Sequence, residues 1–267
     1  MHLVADVGNT ETVLGLFEAG STEVVHHWRF NTTVPRTADE FGLLIRGLVA
    51  AAGHDPSGIR RGVLGSVVPS VTDALLRAMA DLADGNVHQV DGGSELPIKL
   101  DVDEPRTVGA DRIANTLAAS RLYGRDTIAV DLGTATTFDC ITKSGVFIGG
   151  VIAPGILVGL DWLSRRTAKL PRVELRPPDT VIGRRTESCI RSGVFYMAVD
   201  GADGVVDRIK SEWSADAHVV ATGGYATVVG PHSRTIDEVA PFLTLIGLEM
   251  AGDCLESLDD QMVRTTK

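Results

Sequence analysis

Two acidic residues, Asp6 and Asp131, stand in nearly the same sequence setting. Leu3 to Phe17 reads LVADVGNTETVLGLF, and Ile128 to Ile141 reads IAVDLGTATTFDCI. In each, an apolar run ends in the acid, passes through a glycine turn and resumes as a second apolar run, the pattern of a β-hairpin. The first turn, Asp6-Val7-Gly8-Asn9-Thr10, offers backbone amides and the hydroxyls of Thr10 and the following Thr12 beside the Asp6 carboxylate. Amides and hydroxyls suit phosphate oxygens, and a neighbouring carboxylate suits a cation, so the pair of features matches a nucleotide phosphate chain. Asp131 falls on Asp6, Gly133 on Gly8, Thr137 on Thr12 and Phe138 on Val13. This recurrence predicts a duplicated domain with a nucleotide held by both copies.

A third stretch, Val108 to Asn115, reads VGADRIAN and opens a helix, with Asp111 and Arg112 at its first turn. From residue type alone Asp111 is either a helix N-cap or a carboxylate available for chemistry. A fourth, Thr222-Gly223-Gly224, follows a short apolar strand and would let a flat ligand lie close to the backbone. His26 and His27 are adjacent in a strand and therefore face opposite ways, which is poor geometry for sharing a metal.

The surrounding elements follow from periodicity. After the first hairpin, Glu23 to Phe30 predicts a third strand, and Thr37 with Glu40 forms a capping-box signature before the helical stripe Phe41, Leu44, Ile45, Leu48, Val49. Strands are expected in Arg60 to Val68 and Val87 to Val90, with a helix over Ser70 to Leu82; residues 94 to 108 read as a polar loop. In the second half, Val146 to Ala153 is the third strand, Ile156 to about Arg165 a helix, Thr186 to Lys210 a long helix, Val219 to Ala221 a strand and Leu243 to Leu258 a closing helix. The basic segment between Arg165 and Arg176 reads as solvated surface. The plan is two copies of strand-strand-strand-helix-strand-helix, each a mixed sheet with flanking helices.

Composition narrows the function classes. The 267 residues suit two domains, and 44% apolar with 22% charged residues is ordinary for a globular chain. The net charge of −10 argues against a nucleic-acid partner. The three cysteines, Cys140, Cys189 and Cys254, are scattered without metal-ligand spacing or a disulfide framework, which fits a reducing cytoplasm. The N-terminus lacks a basic region and cleavage site, and the longest uncharged run, Ser144 to Leu160, is broken by Pro154 and glycines, so neither a signal peptide nor a membrane partner is expected.

With DVGNT, VGADRIAN, DLGTATTFD and TGG in this order, the chain resembles the type III pantothenate kinases, over residues 3 to about 250. The resemblance implies an α/β fold of two duplicated ribonuclease-H-like (actin-like ATPase) domains, here 1–114 and 115–267. It implies transfer of the ATP γ-phosphoryl group to pantothenate, giving 4'-phosphopantothenate, the first step of coenzyme A biosynthesis. Carried over residue by residue, it makes Asp6, Val7, Gly8, Asn9, Thr10, Glu11, Thr12, Val13 and Thr134 ATP-binding. Asp6 would lie near Mg²⁺, and Asp131 would hold a monovalent cation, K⁺ or NH₄⁺. Gly109, Ala110, Asp111, Arg112 and Thr186 would bind pantothenate, with Asp111 as the base for its hydroxyl and therefore catalytic. Arg112 would pair with the pantothenate carboxylate through its planar donors. The family also implies a homodimer whose partner subunit helps to close the pantothenate site.

One departure stands out: many members carry a tyrosine seven residues before the glycine of GADR, and this chain has Val102 there. Two other classes of reading compete. One is a catalytically silent member acting as a regulatory accessory protein, which the intact Asp6, Asp111, Arg112 and Asp131 oppose. The other is a nucleotide-driven chaperone or actin-like protein, for which the chain lacks an added domain.

Overall fold

The computed structural model describes residues 1–167 and 169–265, in two compact units: residues 1–122 with 242–267, and residues 123–241. The second unit ends at 241 because the closing helix packs on strands of the first. A division at 114/115 would separate that helix from its partners.

Unit 1 begins with β1 (His2–Val7), β2 (Glu11–Phe17) and β3 (Val24–Asn31). Then come α1 (Ala38–Ala51), β4 (Arg61–Ser66), α2 (Pro69–Leu82), β5 (Val87–Val90), the short β6 (Lys99–Leu100) and α3 (Ala110–Tyr123). The strand order is β3-β2-β1-β4-β5, antiparallel as far as β1 and parallel from β1 to β5. The Thr37 hydroxyl accepts from Glu40 N–H while Glu40 Oε2 accepts from Thr37 N–H at 2.7 Å, so the predicted capping box starts α1. One sheet face buries Leu3, Ala5, Val7 and Leu64 against Phe41, Ile45, Leu75 and Met79 of α1 and α2. The other buries Val4 and Val63 against Ile113, Ala114 and Leu117 of α3 and against Leu245 and Leu248 of α7 (Leu243–Thr265).

Unit 2 repeats the plan. It contains β7 (Thr127–Leu132), β8 (Ala135–Ile141), β9 (Val146–Pro154), α4 (Ile156–Arg166) and α5 (Thr186–Trp213). After them come β10 (His218–Thr222), α6 (Ala226–Val229) and β11 (Glu238–Val239). Its strands run β11-β10-β7-β8-β9, with the same antiparallel and parallel halves. Ile128, Val130, Leu132, Val219 and Ala221 pack against Phe195, Val199, Ala202 and Val206 of α5. Two elements, α6 and β11, are too short to show periodicity. The closing helix belongs to unit 1, so unit 2 is not the literal second copy of the expected element order.

The hairpin repeat is real, but its register differs from the sequence alignment. Val7 pairs with Thr12 and Leu132 with Thr136, so Thr136, not Thr137, is the counterpart of Thr12. The turn between β7 and β8 is one residue shorter than that between β1 and β2, which shifts everything after it. Both threonines are buried, Thr12 with its hydroxyl 2.8 Å from that of Thr32.

On the α7 side of β1 and β4, His2 and Arg61 are register partners. Arg61 is 1% exposed and donates to Glu249 Oε1 at 2.6 Å, to Asp253 at 2.8 Å and to Glu256 at 2.8 Å; His2 Nδ1 lies 2.6 Å from the same Glu249 oxygen. The guanidinium thus ties α7 to the start of the sheet. Removing one partner of such a pair leaves a buried charge uncompensated. Arg61→Ala should lower unfolding stability by about 3–5 kcal/mol in denaturant titration. Arg29→Ala, which loses only the exposed pair with Glu11 at 3.9 Å, should change it by less than about 1 kcal/mol.

Candidate functional site

In unit 1 the chemistry-bearing residues gather at the carboxyl ends of the parallel strands β1 and β4, the edge where α/β sheets bind ligands. Asp6, half-buried, pairs in register with Val13 on β2 and with Gly65 on β4. Beyond it the turn is closed by Gly8 N–H donating to the Glu11 carbonyl at 3.1 Å, leaving Asn9 and Thr10 exposed at the tip. Next to this turn, Val67 N–H donates to the Val7 carbonyl at 3.1 Å, so the chain leaving β4 lies beside the chain leaving β1.

The start of α3 meets that same edge. A Cβ on Gly109 would lie 3.3 Å from Val67 Cγ1 and only 2.5 Å from Asp111 Oδ1. Any side chain at Gly109 would therefore have to push aside the Asp111 carboxylate, which folds back over the backbone there. The Gly109 carbonyl accepts the first helical bond, from Ile113 N–H at 3.1 Å, so Asp111 lies inside the first turn and is not the N-cap. Its Oδ1 accepts from Arg112 N–H at 2.9 Å, and a carboxylate here also meets the positive end of the helix dipole. Asp6, Asp111 and the turn amides thus share one edge of one unit, with Arg112 following Asp111, half-buried. Val102 is half-buried in the preceding loop.

Among the predicted phosphate contacts, the structure separates surface from support. Gly8, Asn9, Thr10 and Glu11 form the accessible turn, while Val7 and Thr12 are fully buried and Val13 packs into the core beneath. The Thr12 hydroxyl, bonded to Thr32, braces the hairpin.

In unit 2, Asp131 is flanked on its sheet face by its register partners Thr137 on β8 and Thr222 on β10. Gly223 has φ of +88°, and any Cβ there would collide with Asp131 Oδ1 and the Leu132 backbone. The carboxylate is thereby walled in by backbone on one side. Thr222 is fully buried, and among the described residues its hydroxyl has no hydrogen-bond partner. A carboxylate with two threonines and one unsatisfied hydroxyl is an oxygen-rich donor set of the kind hard cations take. Thr222 was singled out by the sequence only as part of TGG; its place beside Asp131 comes from parallel pairing across a long separation. Thr134 is exposed at the turn. Thr186 is exposed at the first position of α5, where Ser188 Oγ accepts from Arg185 N–H at 3.1 Å.

Elsewhere, Asp203 in α5 pins the loop after α6. Burial alone would raise its pKa, but the hydroxyls of Ser233 and Thr235 and the N–H groups of Arg234 and Thr235 more than offset this and hold it below the usual carboxylate value. His2, Glu249 and Asp253 bring three ligand atoms within 4.8 Å of one another. The Arg61 guanidinium already neutralises that cluster, so it reads as an ion-pair network.

Two parallel-ended mixed sheets, each with an acid at the carboxyl end of its central strand, make an α/β protein of the actin-like ATPase fold. A structure of the activator of 2-hydroxyisocaproyl-CoA dehydratase from Clostridium difficile with bound ADPNP matches with a TM-score of 0.54 at 9% identity, over 97% of each chain. A ROK family glucokinase from Streptomyces griseus in complex with glucose and AMPPNP matches at 0.51 and 13% identity, over 96% of this chain and 99% of that one. A sequence model of the type III pantothenate kinase family matches residues 2–208. The chain is 44% identical over 250 residues to the type III pantothenate kinase of Moorella thermoacetica, covering 94% of this chain and 98% of that one. It is 42% identical to that of Geobacillus kaustophilus, covering 94% and 96%. The chain belongs to the type III pantothenate kinase family. Membership implies use of ATP and a divalent metal. Among the described residues no helix is long and apolar enough to cross a membrane.

The collision at Gly109 yields a direct expectation. Gly109→Ala should displace the Asp111 carboxylate, lowering phosphoryl-transfer kcat by about 100-fold or more. The thermal midpoint should shift by only a few degrees, as checked by steady-state kinetics beside calorimetry.

Proposed function

We propose that this protein transfers the γ-phosphoryl group of ATP to the primary hydroxyl of pantothenate, yielding 4'-phosphopantothenate for coenzyme A synthesis in the cytoplasm. The observation that carries the reading is the convergence of Asp6, the Gly8–Glu11 turn and Asp111 at one strand edge of unit 1. The turn amides and Thr10 hold phosphate oxygens, with Val7, Thr12 and Val13 as the support beneath them, and Thr134 is a further ATP contact. Asp6 is suited to Mg²⁺, directly or through water, and the ion neutralises phosphate charge when bound.

Gly109, Ala110, Arg112 and Thr186 bind pantothenate, the Arg112 guanidinium pairing with its carboxylate. Asp111 accepts the hydroxyl proton as the oxygen attacks the γ-phosphorus. The bond to the bridging oxygen breaks, and ADP departs. Phosphoryl transfer depends mainly on positioning and charge neutralisation, so a single ordinary carboxylate suffices as the base. Asp131, with Thr137 and the unsatisfied Thr222 hydroxyl, supports a monovalent cation site for K⁺ or NH₄⁺.

The same reading includes a homodimer in which the partner subunit completes the pantothenate site. Unit 2 exposes Ile152, Trp162, Val181, Ile182 and Met197, each more than half accessible. Of these, Val181, Ile182 and Met197 line an open groove of about 730 Å³ together with Gly193, Tyr196 and Gly201. Exposed apolar side chains gathered along such a groove favour a protein partner over water.

An ADP-release assay tests the chemistry: turnover should require pantothenate, rise when potassium replaces sodium, and fall by about 100-fold or more in Asp111→Asn. ADP release indifferent to pantothenate would refute the reading. Sedimentation velocity tests the assembly, because Ile182→Glu combined with Met197→Glu should convert a dimer to monomers. A wild-type chain that is monomeric while turning over would exclude the dimer.

A further inference from the structure

Connections between elements are ordinarily the loosest parts of a fold, yet the one from β3 to α1 is bonded along its length. Asn31 Oδ1 accepts from the N–H and from the hydroxyl of Thr33, at 2.8 and 2.7 Å. The half-buried Arg36 donates through Nη1 to the carbonyls of Asn31 at 3.0 Å and Val34 at 3.3 Å. Its guanidinium carbon stands 5.3 Å from the centre of the Phe30 ring and 5.8 Å from that of Phe41, which is buried in the core with α1. Strand end, loop and helix start are thereby gathered onto one cation.

What this bracket holds is the turn between β1 and β2, and Thr32 reaches it twice. Its backbone N–H donates to the Thr10 carbonyl at 3.0 Å, and its hydroxyl lies 2.8 Å from that of Thr12. Both side chains are buried, Thr12 completely and Thr32 to 5% exposure. Two valines would fill the same space with no polar group to satisfy, so a buried pair of hydroxyls calls for a reason. A hydrogen bond is directional, and a satisfied buried one selects a single arrangement where apolar packing allows several. The backbone bond acts on the turn just as directly. The peptide joining Thr10 to Glu11 is planar and trans, so its carbonyl and its N–H point in opposite directions. With the Thr10 carbonyl drawn to Thr32, the Glu11 N–H is turned away from β3.

We infer that Thr32 is a positioning residue for nucleotide binding: bonded to both Thr10 and Thr12, it sets the pose of the turn that receives the ATP phosphates, and Arg36 keeps Thr32 in place. The inference rests on the Gly8–Glu11 turn being the phosphate site. Thr32 touches no substrate itself; it acts through the amides of the turn. Its loss therefore weakens ATP binding and spares pantothenate, whose proposed ligands, Gly109 to Arg112 and Thr186, lie on other elements.

Calorimetric titration with Mg-AMPPNP, beside steady-state kinetics, tests it. Thr32→Val keeps the shape and the backbone bond and removes only the hydroxyl. It should raise the Kd for Mg-AMPPNP and the KM for ATP by about 10-fold, with the KM for pantothenate within about 3-fold of wild type. Thr32→Ser, which keeps the hydroxyl, should hold all three within about 3-fold, and Arg36→Met should raise the two nucleotide constants by about 3-fold or more. Thr37→Ala, which breaks the capping box of α1, should lower the thermal midpoint without moving nucleotide affinity. Thr12→Val combined with Thr32→Val leaves no unpaired hydroxyl, so its thermal midpoint should return towards wild type while Mg-AMPPNP affinity stays low. Unchanged Mg-AMPPNP affinity in Thr32→Val would overturn the inference, as would an equal loss in Thr32→Ser or in Thr37→Ala. Should Thr32→Val fail to fold, the double variant decides alone, and wild-type nucleotide affinity there overturns the inference. A wild type that does not bind Mg-AMPPNP would overturn the phosphate site and the inference together. A wild type that binds it but does not turn over pantothenate would remove only the assigned substrate.

Discussion

Parallel pairing at the centre of each sheet is the constraint on which the rest depends. β1 lies beside β4, and β7 beside β10, so their carboxyl ends emerge on the same edge. Each first strand ends in an acid, and backbone without side chains approaches it: Gly65 opposite Asp6, and Gly223 against Asp131. A Cβ at Gly65 would press on Leu248 and Ala110 beneath the strand, and one at Gly223 would collide with Asp131 Oδ1 and the Leu132 backbone. Antiparallel hairpins supply the turns, but the parallel neighbours supply the walls.

The second requirement is a stiff support under the candidate base. Asp111 sits on the first turn of α3, whose inner face packs into the core with Val4, Val63 and the apolar side of α7. At its far end α7 is tied to the sheet by Arg61, whose guanidinium reaches three carboxylates of that helix. At its near end it is tied to α3, where the Thr244 hydroxyl donates to Asn115 and Gly247 lies against the Ala114 backbone. Burying the Arg61–Glu249 pair gains little net stability compared with an apolar core. Their directional bonds do fix the rotation and height of α7, and with them the seat of α3. Precision at the site is thus secured some distance from it.

Much of this was legible in the amino-acid order. Hairpins, the capping box of α1 and the long α5 follow from periodicity and local hydrogen-bonding chemistry, which act within a few residues. Short elements such as α6 and β11 carry too little pattern to detect. The alignment of the two hairpins slipped by one residue after the turn, because turn length is set by backbone closure and not by side-chain type. Thr12 illustrates the same limit at the site. A threonine beside a glycine turn reads as a phosphate donor, yet its place in β2 turns it inward to Thr32.

The sequence by itself determined the chemistry available and the class of fold: a repeated acid–glycine hairpin, a carboxylate–guanidinium pair at a helix start, and the motifs that mark the family. These depend on residue identity and local spacing. Only the tertiary structure decided which groups meet. It brought Thr222 to Asp131, Val67 to Gly109, and Thr244 to Asn115, and it returned the closing helix to the first unit. Such contacts join residues dozens to more than a hundred positions apart. They are chosen by sheet pairing and helix packing summed over whole units, a sum that no short stretch of sequence contains.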